Sequence, residues 1–490
     1  MPPAAPSLDR FTRQYSRCRV HARQVHASVS LPVLTDYFSR LPSPAILGGN
    51  EPGTADAAFS YWAARPADVF VCAAAQPHVF ARLRAALGRY RLARCSDAAG
   101  LPRGMFLGGW IGYFGYELGR CIERMDRPAP DDTGMPLIRL CFYDRVICFD
   151  HCRKVFWLIA VEMPHDAEGP QRKLSALEDM LAECCGRRVA EPTPTDLEKI
   201  DFSRVSANMD RGYYRQSVEA IRRYILDGEV YQVNFSQRFE CDCRCRPVDL
   251  YHWLNAYNPS GYAAYIGAGD YHIVSASPEM FVTIADGRIR TKPIKGTCRR
   301  VGGFRGAESV NNRNVAELEA SEKEKAELNM IVDLERNDLG KICRYGTIKV
   351  VQPRTIETYS TVFHGVATVE GVLREGVDAC DVLRAMFPGG SITGAPKYSA
   401  MKIIEMLEPT ARGVYTGSIG YVSINGTVCL NIAIRTILAT RQKALVQTGG
   451  GIVADSSEDA EYNETLVKAR ALVAAVSSGA CLAHEAGKAG

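Results

Sequence analysis

The chain lacks a surplus of charge of either sign. Its 490 residues carry 59 Lys and Arg against 55 Asp and Glu, a formal net charge of +4. Proteins that hold nucleic acid by neutralising phosphates concentrate far more basic charge, so that class of function is excluded. Long hydrophobic runs are also missing. The longest, such as Val155 to Val161, fall well short of the roughly 18 apolar residues a spanning helix needs, so no membrane partner is expected. The opening Met1-Pro2-Pro3-Ala4-Ala5-Pro6 has no basic region followed by an apolar core, and so no export signal. The Arg-rich segment Arg10 to Arg23 leaves a transit peptide open, against which Asp9 and the prolines argue. Without a secretory signal, the 17 cysteines read as reduced thiols in a cytoplasmic chain. There is no fixed-period repeat. What is present, 47% apolar and 23% charged residues, excludes wholesale disorder and supports a large core. The length suits two or more domains or one oversized α/β unit.

The clearest boundary is the polar, Pro-rich stretch within Arg187 to Asp201, centred on Glu191-Pro192-Thr193-Pro194-Thr195-Asp196. It divides an N-terminal part, 1–195, from a larger part, 205–478. Strand-like runs dominate before it: Ala67 to Cys72, Arg139 to Phe149 and Val155 to Glu162. After it, apolar spacing predicts a helix over Tyr213 to Leu226. Strand-like runs follow, including Val274 to Glu279 and Ile289 to Ile294. A Glu- and Lys-rich helix is expected to end over Met330 to Leu334. Residues Glu485 to Gly490 read as a loose tail.

Two glycine-rich segments invite a nucleotide reading. Gly108-Gly109-Trp110-Ile111-Gly112-Tyr113-Phe114-Gly115 has neither the Lys-Ser/Thr of a phosphate loop nor dinucleotide spacing, so tight backbone packing beside aromatics is expected. Gly389-Gly390-Ser391-Ile392-Thr393-Gly394-Ala395-Pro396-Lys397 is a turn feeding a helix that Met401 to Leu407 continues. Such a start presents free N–H groups to an anion, although any αβ turn can look like this.

Two helices carry carboxylates at a spacing of three, on one face each: Glu324 with Glu327, and Glu461 with Glu464. Lys468 lies two turns beyond Glu461. Either face can be simply solvated. If the two meet, they offer hard oxygen ligands to Mg²⁺. Gly449-Gly450-Gly451 is either a flexible strand end or a place where backbone approaches a ligand closely. Arg435, inside the apolar run Leu430 to Leu438, must meet a protein carboxylate or grip a ligand's. Lys295, beside Gly296, is either a surface turn lysine or a desolvated, partly neutral nucleophile. Glu279 is a proton donor if burial raises its pKa. His364, after Thr361-Val362-Phe363, reads more simply as a satisfied core histidine. Cys241, Cys243 and Cys245 alternate along one strand face but lack the second pair a zinc site needs.

Taken together, Pro293-Ile294-Lys295-Gly296-Thr297, Met330 to Asp338, Gly390 to Lys397, Arg435-Thr436, Gly449 to Ser456 and Ala460 to Thr465 resemble the chorismate-utilising enzyme family. The resemblance covers roughly Val205 to Ala474, and more loosely Gly108 to Tyr113. It implies an α/β chorismate-binding fold, with β-sheets stacked between helical layers and a mostly β N-terminal part packed on the catalytic part. Members that add water at C2 have a lysine base at the place of Gln232. Anthranilate-forming members carry alanine at the place of Lys295. Lys295 and Asn234 therefore resemble the branch that makes 4-amino-4-deoxychorismate for folate synthesis, with anthranilate formation as the alternative and a non-catalytic regulatory subunit as a remote one. Family members often have an acidic residue and a serine where this chain has Gly48 and Gly49, and continue Pro-Tyr-Met where it has Gly261-Tyr262-Ala263. Both departures fit a folate role better than a tryptophan role.

The resemblance also implies roles. Mg²⁺ is held chiefly by Glu327 and Glu464, with Glu324 and Glu461 beside it. Gly296, Thr297, Tyr415, Arg435, the Gly449, Gly450 and Gly451 backbone and Lys468 hold the substrate dianion. Lys295 attacks C2 while Glu279 protonates the departing C4 hydroxyl, and His364 assists near the ring. Ammonia comes from a separate glutamine amidotransferase, because the chain shows no glutaminase nucleophile elbow.

Overall fold

The computed structural model describes residues 16–49, 58–76, 78–93, 99–164, 166–301, 307–359 and 362–486. Residues 1–15, Thr361 and residues 487–490, which entered the sequence reading, lie outside these. Among the described residues the chain forms two large sheets. The larger has 13 strands in the order Ser206–Ala207, Gln232–Asp242, Lys443–Ile452, Thr436–Thr440, Tyr271–Ser277, Tyr262–Gly267, Ala45–Leu47, Phe59–Ala63, Arg145–Asp150, Val155–Glu162, Ser16–Val25 and Tyr90–Leu92, with Gly394–Ala395 beside Gln232–Asp242. The smaller has 10: Ile294–Arg299, Val362–Val372, Arg288–Lys292, Met280–Ala285, Val428–Asn431, Ser418–Ser423, Gly109–Phe114, Ile138–Tyr143 and Asp68–Cys72, with Lys349–Thr358 on Val362–Val372.

Side-chain alternation along each strand decides what the sheets face. In Tyr262–Gly267, Ala264 and Ile266 enter one core, and Ala263 and Tyr265 the other. The first core fills the space between the sheets: Leu47, Tyr61 and Ile159 of the larger are clustered with Ile111, Ile138 and Leu140 of the smaller. Helices Val79–Leu87, Glu322–Gly340 and Ala379–Met386 join it. The second core packs the opposite face of the larger sheet under helices Leu31–Ser39, Pro170–Cys184, Pro247–Tyr257 and the middle of Glu458–Ala486, from Ala469 to Val476. The fold is thus α/β, with sheets stacked among helices. Among the described residues no helix is long and apolar enough to cross a membrane.

Both sheets run through both sides of the polar stretch. Ala45–Leu47 pairs with Tyr262–Gly267, and Gly109–Phe114 with Ser418–Ser423. The stretch itself lies on helix Pro247–Tyr257, where the Trp253 indole donates to the Thr193 carbonyl at 3.2 Å.

Several expected elements have different bounds. The run Arg139 to Phe149 is two strands in different sheets, broken at Asp144. The break has a charge at its centre: Lys173, with no solvent exposure, reaches Asp144 at 2.6 Å, the Val161 carbonyl at 2.8 Å and Asp166. The Glu/Lys-rich helix continues past Leu334 to Gly340, and the last helix reaches Ala486 rather than loosening at Glu485. Leu430 to Leu438 is likewise two strands, parted at Arg435, whose φ is +49°. The glycines of Gly108 to Gly115 serve packing, as expected: a Cβ at Gly112 would lie 2.0 Å from the Arg139 carbonyl oxygen.

Lys173→Met tests the buried triad. It leaves two carboxylates without their cation, which costs about 3–5 kcal/mol. A lowered midpoint in urea unfolding is expected, and an unchanged midpoint would show that the triad adds nothing to stability.

Candidate active site

Lys295 and Thr297 lie on Ile294–Arg299 at a register irregularity. Ile294 pairs with Val366 and Thr297 with His364, so the ladder slips between them and re-aims the lysine. Gly296, at φ +84°, makes this possible. A Cβ there would lie 2.8 Å from Leu318 Cδ1 and 3.1 Å from Glu324 Oε2, so glycine both turns the backbone and lets a helix carboxylate approach.

The Lys295 amine donates to the Ser391 carbonyl at 3.3 Å. The Ser391 hydroxyl donates to Glu279 Oε1 at 2.6 Å, so one residue of the 3₁₀ turn Gly390–Ile392 bridges amine and acid. Glu279 is 4% exposed. Burial pushes its pKa up, against the Ser391 hydrogen bond and the Lys295 charge. Burial pulls the Lys295 pKa down, against Glu327, Glu279 and Glu324, with Lys468 adding to the fall. Loss of water thus moves acid and amine together towards their neutral forms.

His364 is 2% exposed, and its pKa falls to about 3 through burial and the neighbouring Arg435. Arg435 donates to His364 Nε2 at 3.4 Å, which leaves the proton on Nδ1 to donate to Thr297 Oγ1 at 2.8 Å. This tautomer is assigned from the network. Arg435 itself is half-buried, and burial lowers its pKa against Tyr359 and Glu279. Tyr415 is 6% exposed, and burial raises its hydroxyl to about 12.

The two acidic helices meet. On Glu322–Gly340, Glu324 is raised by burial, then by Glu327, and also by Glu464 from the other helix. Glu461 is raised by burial and by Glu464, with one oxygen tied to the Ser456 hydroxyl at 2.6 Å. Glu464 opposes its own burial through Lys468, 2.6 Å away, and ends lowered. That pair stays open to solvent and adds little to stability. Lys468 also donates to the Gly449 carbonyl at 2.9 Å.

The three glycines form the floor. Gly449, Gly450 and Gly451 stand opposite Ser236, Phe235 and Asn234 in the ladder, inside a strand rather than at a loose end. A Cβ on Gly450 would lie 3.0 Å from Glu461 Oε2 and 3.6 Å from Glu464 Oε1, and one on Gly451 would lie 2.4 Å from Gln232 Nε2. Gln232 donates to Glu327 Oε2 at 3.3 Å, which joins the floor to the first acidic helix.

The carboxylate oxygens of Glu324, Glu327, Glu461 and Glu464 are of the hard type a divalent cation takes, and Lys295, Lys323 and Lys468 offset part of their mutual repulsion. They are not a preformed cage: among the described residues no three His, Cys, Asp or Glu side chains stand within common ligating reach.

Four contributors were not assigned from sequence. Ser391 lay in a recognised motif but carried no role. Arg412 and Glu408 form a bidentate pair at 2.8 and 2.7 Å that holds the walls together. Glu335, 3% exposed, lies against the same turn: a Cβ on Gly390 would lie 3.4 Å from its Oε1. Burial raises Glu335 to about 8, with Asp338 adding to the rise. No periodicity separates such a carboxyl from the solvated ones on its helix.

Because its folded pKa is raised, Glu335 contributes stability that is full below the ordinary carboxyl range and is lost as pH rises through about 8. Glu335→Gln should remove a decline of up to about 1.4 kcal/mol per pH unit across that window. Urea unfolding of both proteins at pH 5, 6, 7 and 8 reads this, and parallel curves would deny that Glu335 titrates.

The sequence profile of the chorismate binding enzyme family matches residues 51–474. Aminodeoxychorismate synthase component 1 of Bacillus subtilis is 41% identical over 368 residues, 75% of this chain and 76% of that one. Anthranilate synthase component 1 of Pseudomonas aeruginosa is 40% identical over 385 residues, 77% of this chain and 76% of that one. The crystal structure of anthranilate synthase component I from Streptococcus pneumoniae superposes with a TM-score of 0.68 at 29% identity, over 93% of this chain and 92% of that one. The menaquinone-specific isochorismate synthase of Escherichia coli shares the fold, with a TM-score of 0.70 at 16% identity over 94% of this chain and 95% of that one.

Proposed function

This chain belongs to the chorismate-binding enzyme family, and from that premise we propose that it is the component that aminates chorismate at C4 to give 4-amino-4-deoxychorismate. The observation that carries the reading is the Lys295–Ser391–Glu279 bridge, an amine and an acid both pushed towards neutrality. A neutral amine is a nucleophile and a protonated carboxyl is an acid, so the pair matches a substitution whose leaving group is hydroxide.

Lys295 Nζ forms a bond to ring C2. The diene shifts, the C4–O bond breaks, and Glu279 gives its proton to the departing oxygen, which leaves as water. The adduct's ammonium proton returns to the Glu279 carboxylate. Ammonia then bonds to C4, the diene shifts back, and the C2–N bond to Lys295 breaks. The Lys295 nitrogen departs as the neutral amine by taking a proton from Glu279, and the proton shed by the incoming nitrogen restores the Glu279 carboxyl. The sum is chorismate plus ammonia to 4-amino-4-deoxychorismate plus water.

Neutral His364 keeps Thr297 and Arg435 in place beside the ring, and Arg435, Tyr415, Lys468 and the glycine floor bind the substrate's carboxylates. Glu327 and Glu464, with Glu324 and Glu461 beside them, would hold Mg²⁺, which supplies positive charge to a substrate carboxylate. The ammonia is supplied by a separate glutamine amidotransferase subunit, a division that the component 1 names of the relatives support.

The anthranilate reading stays beside this one because the Pseudomonas relative is about as similar. Lys295 opposes it, since the anthranilate-forming branch has alanine there. Purified chain, chorismate, Mg²⁺ and ammonium are expected to yield 4-amino-4-deoxychorismate by mass spectrometry. Anthranilate with pyruvate as the main products would overturn the assignment.

Two variants separate the roles. Lys295→Ala should abolish any covalent adduct in intact-mass spectra and slow turnover by at least about 100-fold, the scale of a lost covalent route. An unchanged rate would remove the nucleophile. Glu464→Gln removes one ligand charge and should move the Mg²⁺ titration of activity to higher concentration, whereas a superimposable titration would speak against ligation there.

A further inference from the structure

The alternating cysteines after Cys241 have no part in the site above. The strand expected to carry all three ends at Asp242, so Cys243 and Cys245 leave the ladder. Freed from alternation, their sulfurs turn towards each other, with the Cys245 S–H donating to Cys243 Sγ at 3.6 Å. Cys243 is buried, and its N–H is fixed to the Gln442 carbonyl at 2.8 Å. Cys245 is half-buried and stands just ahead of helix Pro247–Tyr257.

From this geometry we propose that Cys243 and Cys245 form a vicinal dithiol site, open to solvent at Cys245, that reacts with low-molecular-weight disulfides and closes to an intramolecular disulfide.

Three features support it beyond the sulfur–sulfur distance. The thiol hydrogen bond pulls Cys243 down, so one sulfur of the pair is readily a thiolate. Arg244 and Arg246 flank Cys245 in the chain, and the positive end of the helix lies just beyond it. Cys245 itself is raised by the thiol hydrogen bond, by burial and less by Asp249, whose carboxylate is taken by Arg246 at 2.6 and 3.1 Å, so the proton of the pair rests on Cys245.

The chemistry balances. Cys245 passes its proton to the Cys243 thiolate along their hydrogen bond, and the Cys245 sulfur so freed, the reachable one, attacks one sulfur of an external disulfide as one external thiolate leaves. Cys243 gives up its proton and attacks Cys245 Sγ, and the second external thiolate leaves. The protein dithiol is oxidised by two electrons, and the external disulfide is reduced to two thiols. The pair lies at the far end of Gln232–Asp242 from Gln232, a strand of 11 residues. At roughly 3.3 Å per residue, the reaction is remote from the chorismate site and independent of it.

The test uses the full chain and oxidised glutathione, followed by alkylation of remaining thiols, digestion and mass spectrometry. Cys243 and Cys245 should lose alkylation together, with their peptide lighter by two hydrogens and restored by dithiothreitol. In Cys243→Ser the resolving thiol is gone, so a glutathione adduct should accumulate on Cys245. Cys245→Ser, at the half-exposed position, guards against misfolding and should leave Cys243 alkylated only after denaturation. A stable glutathione adduct on Cys245 of the unmodified protein, or continued alkylation of both cysteines, would overturn the proposal. Neither outcome bears on the product formed from chorismate.

Discussion

One buried guanidinium ties the walls of the site together. Every N–H of Arg412 is used: Nε and one Nη2 proton go to Glu408, the other Nη2 proton to the Asn234 carbonyl at 2.6 Å, and the Nη1 protons to the Ile392 carbonyl at 3.0 Å and Thr416 Oγ1 at 3.1 Å. Glu408 in turn accepts from the Ser236 N–H at 2.9 Å and its hydroxyl at 2.7 Å. A buried ion pair repays its desolvation only when its remaining hydrogen bonds are met, and here they are. The clamp fixes the strand bearing Gln232 and Asn234 against the turn bearing Ser391. The floor under the acidic helices and the bridge between Lys295 and Glu279 therefore share one anchor.

Within that frame, desolvation decides the charge states. Glu279, Glu335 and Lys295 all shift towards their neutral forms because water is excluded from them. Glu464 and Lys468 stay open to solvent and remain paired. The site thus divides into an inner region, where burial shifts an amine and an acid towards neutrality, and an outer one, where Glu464 is lowered by its partner Lys468.

Much of this was legible in the chain. The helix Arg211–Leu226 was legible over Tyr213 to Leu226 because it buries one regular face, and Val155–Glu162 from its apolar run because both its faces are buried. The chorismate motifs identified the family because their order along the chain is itself information. Boundaries failed where a charge interrupted an apolar run. Asp144 sits inside a run that reads as one continuous strand and Arg435 inside an apolar run, and each is accommodated by a distant partner, Lys173 or His364.

The sequence by itself settled which residues could do chemistry: two carboxylate pairs spaced for one helix face, a lysine beside a glycine, and three consecutive glycines. Those properties are local and follow from side-chain type and helical or extended repeat. Tertiary structure alone decided that Gly450 lies against Glu461 and Glu464 while Gln232, beside Gly451, reaches Glu327, that Ser391 couples Lys295 to Glu279, and that Cys243 meets Cys245 beyond the strand's end. Distance and exclusion of water between segments remote in the chain set these outcomes, and neither quantity is carried by any single stretch of residues.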